Sequence, residues 1–130
     1  MATEGVLVKI PGLTASADLS AYQFYFMKIS GANTVTVCAS ATDIPCGILQ
    51  NVPVSGAAAE VAYAGVSKVS ANEALTVGWL IGTSSDGQAD RKIPGTDTTE
   101  FYVGQVLTAT GAAAGLATVL FNCAVPTKAT

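Results

Sequence analysis

The sequence predicts an all-β protein, a single compact β-barrel or β-sandwich of about eight to ten short strands with little helix. Three observations carry that prediction. Apolar residues recur with period two rather than 3.6, the repeat of a half-buried strand. Turn-forming residues break the chain at short intervals. The 130 residues are 50% hydrophobic and 12% charged, enough apolar side chain for one core, and no stretch reads as an interdomain linker.

Taken in order, residues 1–21 read as an N-terminal arm and lead-in, and residues 22–130 as a single β domain. Thr3 to Ile10 can add as a strand to an exposed sheet edge, a mode that relies on backbone more than side chains. One helical turn is expected around Ser16 to Ala21. From Gln23 to Ile29 both faces are apolar, with Phe24 and Phe26 against Tyr25, Met27 and Ile29. A strand covered on both sides has this pattern, and so does one at a subunit interface. Ser30-Gly31-Ala32-Asn33 should close a hairpin onto Val35 and Val37, which alternate with Thr34 and Thr36. Pro53-Val54-Ser55-Gly56 marks a break, and Gly56 and Gly78 each precede strand-like segments.

Asp86-Gly87 is the strongest two-residue turn signal, because glycine adopts positive φ without steric cost. Ser84 to Glu100 holds Asp86, Asp90, Arg91, Lys92, Asp97 and Glu100, and Ile93-Pro94-Gly95 interrupts it; it reads as an exposed excursion. Phe101, Val103 and Gln105 alternate with Tyr102, Gly104 and Val106. Gly111-Ala112-Ala113-Ala114-Gly115 is too short to repay helix nucleation and reads as the loop of a C-terminal hairpin. Val119, Phe121 and Cys123 then alternate with Thr118, Leu120 and Asn122.

Composition excludes several chemistries. The chain has no histidine, which removes Ser-His-Asp and Cys-His catalysis and His-ligated zinc. A net charge of −3 and a pI near 4.6 disfavour electrostatic binding of nucleic acid. Cys38, Cys46 and Cys123 form no C-x-x-C pair and read as reduced, buried thiols, with a Cys38–Cys46 pairing open if adjacent strands oppose them. Phe101 to Thr127 is uncharged and long enough to span a bilayer, but Gln105, Asn122 and glycines interrupt it, so no membrane helix is expected. The N-terminus lacks a basic region before a signal-length apolar stretch, so no targeting segment is expected either.

Asp86, Asp90 and Asp97 could gather around calcium, but Arg91 and Lys92 sit among them, and a solvated turn is the better reading. Phosphate-binding glycine motifs and a nucleophile elbow are absent. Lys68 lacks the Met-Lys-Met or Asp-Lys-Ala setting of a lipoyl or biotinyl carrier and reads as a strand lysine. The scattered carboxylates share no acid/base spacing, so no enzyme is expected.

Asp43-Ile44-Pro45-Cys46-Gly47-Ile48-Leu49-Gln50-Asn51-Val52-Pro53 resembles the P-x-G-I/V-L-Q-N-x-P stretch of small capsid decoration, or head cement, proteins of tailed phages. The resemblance continues through Gly56, Glu60 to Val69, Gly78-Trp79-Leu80-Ile81-Gly82-Thr83 and Asp86 to Ala89. It closes with Val103 to Leu107 and Val119 to Ala124. It covers most of the chain from Phe24 onward and rests on glycine, proline and apolar alternation.

The resemblance implies a non-enzymatic protein without a cofactor, made in the host cytoplasm. It implies a place on the outer surface of the expanded virion head, as a homotrimer at three-fold and quasi-three-fold positions, clamping neighbouring major capsid protein subunits. No nucleic acid or membrane partner is implied. Tyr22, Phe24, Tyr25, Phe26 and Trp79 are the expected subunit-interface anchors, weighed against plain core packing. Thr3, Val6, Val8 and Ile10 are the expected capsid contacts. A glycan- or host-surface-binding β-sandwich is the alternative, and it calls for an exposed aromatic platform at Trp79 or Tyr102.

Overall fold

A computed structural model describes residues 5–109 and 115–130. Residues 111–114 of the expected 111–115 loop and the candidate contact Thr3 lie outside the described residues. Those residues form twelve short strands and no helix, so the all-β class holds. The strands are β1 (Leu7–Ile10), β2 (Thr14–Ala15), β3 (Phe26–Gly31), β4 (Thr34–Val37), β5 (Gly47–Leu49) and β6 (Val61–Ser70). They continue as β7 (Leu80–Thr83), β8 (Ala89–Arg91), β9 (Phe101–Tyr102), β10 (Gly104–Thr108), β11 (Leu116–Asn122) and β12 (Thr127–Lys128).

Ten strands make one sheet in the order β2-β4-β3-β5-β6-β11-β10-β7-β8, with β1 added beside β6; β9 and β12 pair separately. The sheet is not a closed barrel. A single parallel bridge, Ala71 to Ala89, brings the β8 end back to the residue after β6.

The organising element is β6. Val61 and Ala62 pair with β5, Ala64 to Ser70 pair with β11, and β1 pairs along Val61 to Gly65. Since a residue has two strand edges, β1 holds one edge of β6, while β5 and β11 succeed one another along the other. The hand-over falls at Tyr63, whose carbonyl accepts from Cys123 N–H at 2.7 Å. Gly65 makes the close approach of β1 possible. Its φ is +121°, and a Cβ there would collide with the Val6 carbonyl oxygen.

Period-two alternation sends neighbouring residues to two separate cores. Phe26, Ile48 and Ala62 enter a larger core with Val69, Leu75, Ile81, Val106, Val119 and Phe121. Met27, Leu49 and Val61 enter a smaller one with Leu13, Ala15, Leu19, Val35 and Ala59. The β3–β5–β6 crossing is therefore covered on both faces by the chain itself. Each fully buried large side chain there contributes about 1.5–3 kcal/mol relative to exposure.

Several expectations are corrected. Residues 5–21 are no detached arm, because β1 completes the sheet and Leu13, Ala15 and Leu19 fill the second core. Ser16-Ala17 forms a bend and Ser20-Ala21 a single turn rather than a helical segment, with Tyr22 N–H closing on Leu19 O at 3.0 Å. The Phe24 strand starts only at Phe26. Phe24 sits at φ +67°, held by Phe24 N–H to Leu49 O at 2.7 Å and by Ser70 N–H to its own carbonyl at 2.9 Å. The expected hairpins do form: Asn33 at φ +56° closes β3 onto β4, and Gly87 at φ +82° closes β7 onto β8.

Candidate interaction surface

One sheet face remains uncovered. In the β1–β6–β11–β10–β7 half, the register aligns Val66, Leu120, Gln105 and Leu80 in a row, with Val6 beside Val66 and Val8 paired to Ala64. Val6 is 83% exposed, Leu120 49% and Val125 65%, and Val8 and Leu107 are also open to solvent. Between β10, β11 and the C-terminal segment lies an open cleft of about 500 Å³. Leu80, Tyr102, Gln105, Leu120, Asn122 and Val125 are among its lining residues, and none of the lining residues is charged. An exposed, contiguous apolar face of this kind marks an interaction site.

The expected interface residues fare differently. Phe26 is fully buried in the larger core, which removes it as an anchor for another subunit. Tyr22 and Tyr25 are half-buried, packed edge to face at 5.2 Å against the smaller core. Phe24 packs against the larger core, with Lys68 Nζ 5.7 Å from its ring centre. Trp79 also leans on that core, and Arg91 covers its ring at 4.2 Å, so it offers no bare stacking platform.

The expected capsid contacts divide as well. Val6 and Val8 point outward, whereas Ile10 packs on the smaller core. The strand-adding capacity of this segment is spent within the chain, on β6. Leu7 and Ile10, three apart, face opposite sides of the strand and pack on different cores, and the register shift between Val8 and Lys9 skips Tyr63 of β6.

Sequence reading missed a charged cluster in the supposed excursion. Lys92 has no exposed side-chain surface; its ammonium contacts Glu100 and lies 3.9 Å from Asp90 Oδ2. Gly82, paired with Asp90, leaves the space that the Lys92 stem fills. Burial, then a hydrogen bond with the Glu73 carboxyl, raises the Asp90 pKa to about 6, against the opposing pull of Lys92. Asp90 and Lys92, two apart on an extended segment, were the available signal: they share one face. Asp97 instead caps a turn, accepting from Ile93 N–H at 2.6 Å. No group of three or more acidic or cysteine side chains suited to a metal occurs among the described residues.

Cys38, Cys46 and Cys123 are free thiols. Burial raises the Cys38 pKa to about 12 and that of Cys46 to about 11, and pushes Cys123 upward too. Asp43 braces the adjoining loop, accepting from Ala39 N–H at 2.9 Å and Ser40 N–H at 3.0 Å and pairing with Lys28 at 3.2 Å.

Two solved structures that share this fold come from bacteriophage heads. The N base of head fibre gp8.5 of bacteriophage phi29 matches with TM-score 0.62 and 19% identity, over 91% of this chain and 96% of that one. A chain of the capsid of Myoviridae phage XM1 matches with TM-score 0.63 and 18% identity, over 91% of this chain and 84% of that one. The expected likeness to phage capsid proteins is met at the level of the fold. No protein-family model matches the chain, and no curated protein sequence does.

Proposed function

We propose that this chain is a capsid decoration protein, bound to the outer surface of an expanded phage head and stabilising contacts between major capsid protein subunits. The observation that carries the reading is the uncovered, uncharged apolar face around Leu120, on a fold found in phage heads. The face meets the capsid or a neighbouring copy; a homotrimer at three-fold and quasi-three-fold positions lets one patch serve three subunits. Modest affinity per contact suffices, because contacts repeated over a lattice reinforce one another. The work is mechanical, with no turnover and no cofactor.

The test is co-sedimentation with matching expanded capsids that lack the protein, alongside unexpanded proheads. Saturable binding to the expanded shell alone, at the stoichiometry of the three-fold sites, is the expected result. Absence of binding to either shell would overturn the proposal and turn attention to a glycan screen.

A further inference from the structure

The decoration reading makes no use of Lys92. A fully buried lysine is rare, and burying an ion pair costs desolvation that its Coulombic attraction seldom fully returns. The surroundings of this lysine are those of a reaction site. Its side chain is wholly excluded from solvent and its ammonium touches the Glu100 carboxylate. A second carboxyl, Asp90, lies 3.9 Å away on the same face of the same extended segment.

We propose that Lys92 and Glu100 condense spontaneously into an intramolecular isopeptide bond, with Asp90 carrying the proton. A covalent staple then closes the 93–99 loop. Both reacting residues are held by backbone bonds to strands or turns. Lys92 N–H donates to Leu80 O at 2.9 Å; Glu100 N–H donates to Asp97 O at 3.0 Å; and Glu100 O accepts from Ala129 N–H at 2.9 Å. Such anchoring converts a bimolecular condensation into a unimolecular one and removes the entropic cost of bringing the two groups together.

The balance is simple. Asp90 takes a proton from the Lys92 ammonium, and the freed amine lone pair attacks Glu100 Cδ, forming the C–N bond. Asp90 returns that proton to one Glu100 oxygen, then relays a second proton to the same oxygen from the nitrogen of the tetrahedral intermediate; the C–O bond breaks, and one water leaves. An ammonium and a carboxylate become a neutral amide and water, so neither oxidant nor activating co-reactant is required. In water the ions are the favoured side; desolvation of the fully buried Lys92 ammonium shifts the balance towards the amide. Asp90 suits the carrier role because it lies 3.9 Å from the ammonium, and its partial burial and the Glu73 carboxyl favour its protonated form. Gly82 keeps the path clear, since a Cβ there would press on the Lys92 stem and on the Phe101 carbonyl.

The deciding experiment is the intact mass and tryptic map of the reduced, denatured full chain. The bond makes the chain lighter than its sequence by one water. Because an acylated lysine is not cut, residues 92–128 emerge as one internally linked peptide lacking a water. Asp86-Gly87 can also lose a water by closing to a succinimide, but that loss maps to the separate peptide 69–91. Lys92→Met and Glu100→Ala restore the full sequence mass, and Asp90→Asn slows the loss. Cleavage after Lys92 with the sequence mass intact, or a loss confined to peptide 69–91, overturns the proposal whether or not the variants fold.

Discussion

At the scale of single residues, a few positions hold the chain in conformations or charge states that it would not otherwise adopt. Gly65 is one, at φ +121° with the Val6 carbonyl where a side chain would begin. Gly65→Ala should lose about 1–3 kcal/mol from backbone strain alone. The accompanying collision should displace β1, read as a lower urea midpoint and faster amide exchange in β1. Asp90 is another. Its folded pKa of about 6 lies above the unfolded value near 3.8, so the folded state binds the proton more tightly. Its contribution is full below about pH 4 and is lost as pH rises through about 6. Asp90→Asn should flatten that slope in urea melts taken across this window. Asp43 acts in the opposite sense. Burial opposes its ionisation, but the Ala39 and Ser40 amides and Lys28 outweigh it and hold the pKa below the usual value. Its stabilisation is present above the unfolded pKa and fades as pH falls through the lower folded one. The three thiols, held protonated by burial, should resist alkylation at pH 8 in the folded chain and react fully after denaturation, as counted by mass.

At the scale of elements, β1 is the strand whose role changed most between sequence and structure. Leu7 packs on the larger core and Ile10 on the smaller, so removing residues 1–10 should cost roughly 2 kcal/mol or more in a chemical melt. The local chemistry was legible: Asn33 and Asp86-Gly87 announce their hairpins because positive φ is a property of a few residues. The two-faced apolar run was also legible, and the structure resolves it at Phe26 and Met27 as burial between two cores within one chain. What escaped was pairing at long range. Nothing local in Val6-Leu7-Val8 distinguishes an edge donated to a partner from one returned to the chain's own β6. Lys92 escaped for a related reason. Its neighbours Asp90 and Arg91 are partly or largely exposed, and what closes over it comes from Gly82 and Glu100, brought in by the fold. The open face was hidden too, since the exposed Leu120 is indistinguishable in sequence from the buried Val119 beside it.

At the scale of the whole molecule, the β3–β5–β6 crossing is sealed on both faces and the β1–β6–β11–β10–β7 half presents an apolar side outward. Leu120→Asp combined with Val6→Asp should leave the fold intact, because both side chains are exposed. The same pair should weaken co-sedimentation with expanded capsids at least about tenfold, roughly 1.4 kcal/mol. Unchanged sedimentation would move the contact away from this face. The shared strand has a further consequence, in time rather than space. By the end of β6 at Ser70, every strand of the β2-β4-β3-β5-β6 half exists, and so does β1. The other half waits for β11, at Leu116–Asn122, far along the chain from Ser70. During synthesis the smaller core can therefore condense first, while most of one β6 edge stays open until β11 is made. Such non-local closure is slow, in the millisecond-to-second range typical of β proteins. A ribosome-stalled chain long enough past Ser70 for β6 to have left the exit tunnel, but ending before β11, should already protect β3 and β5 from proteolysis, while Val66–Ser70 of β6 remains open to cleavage.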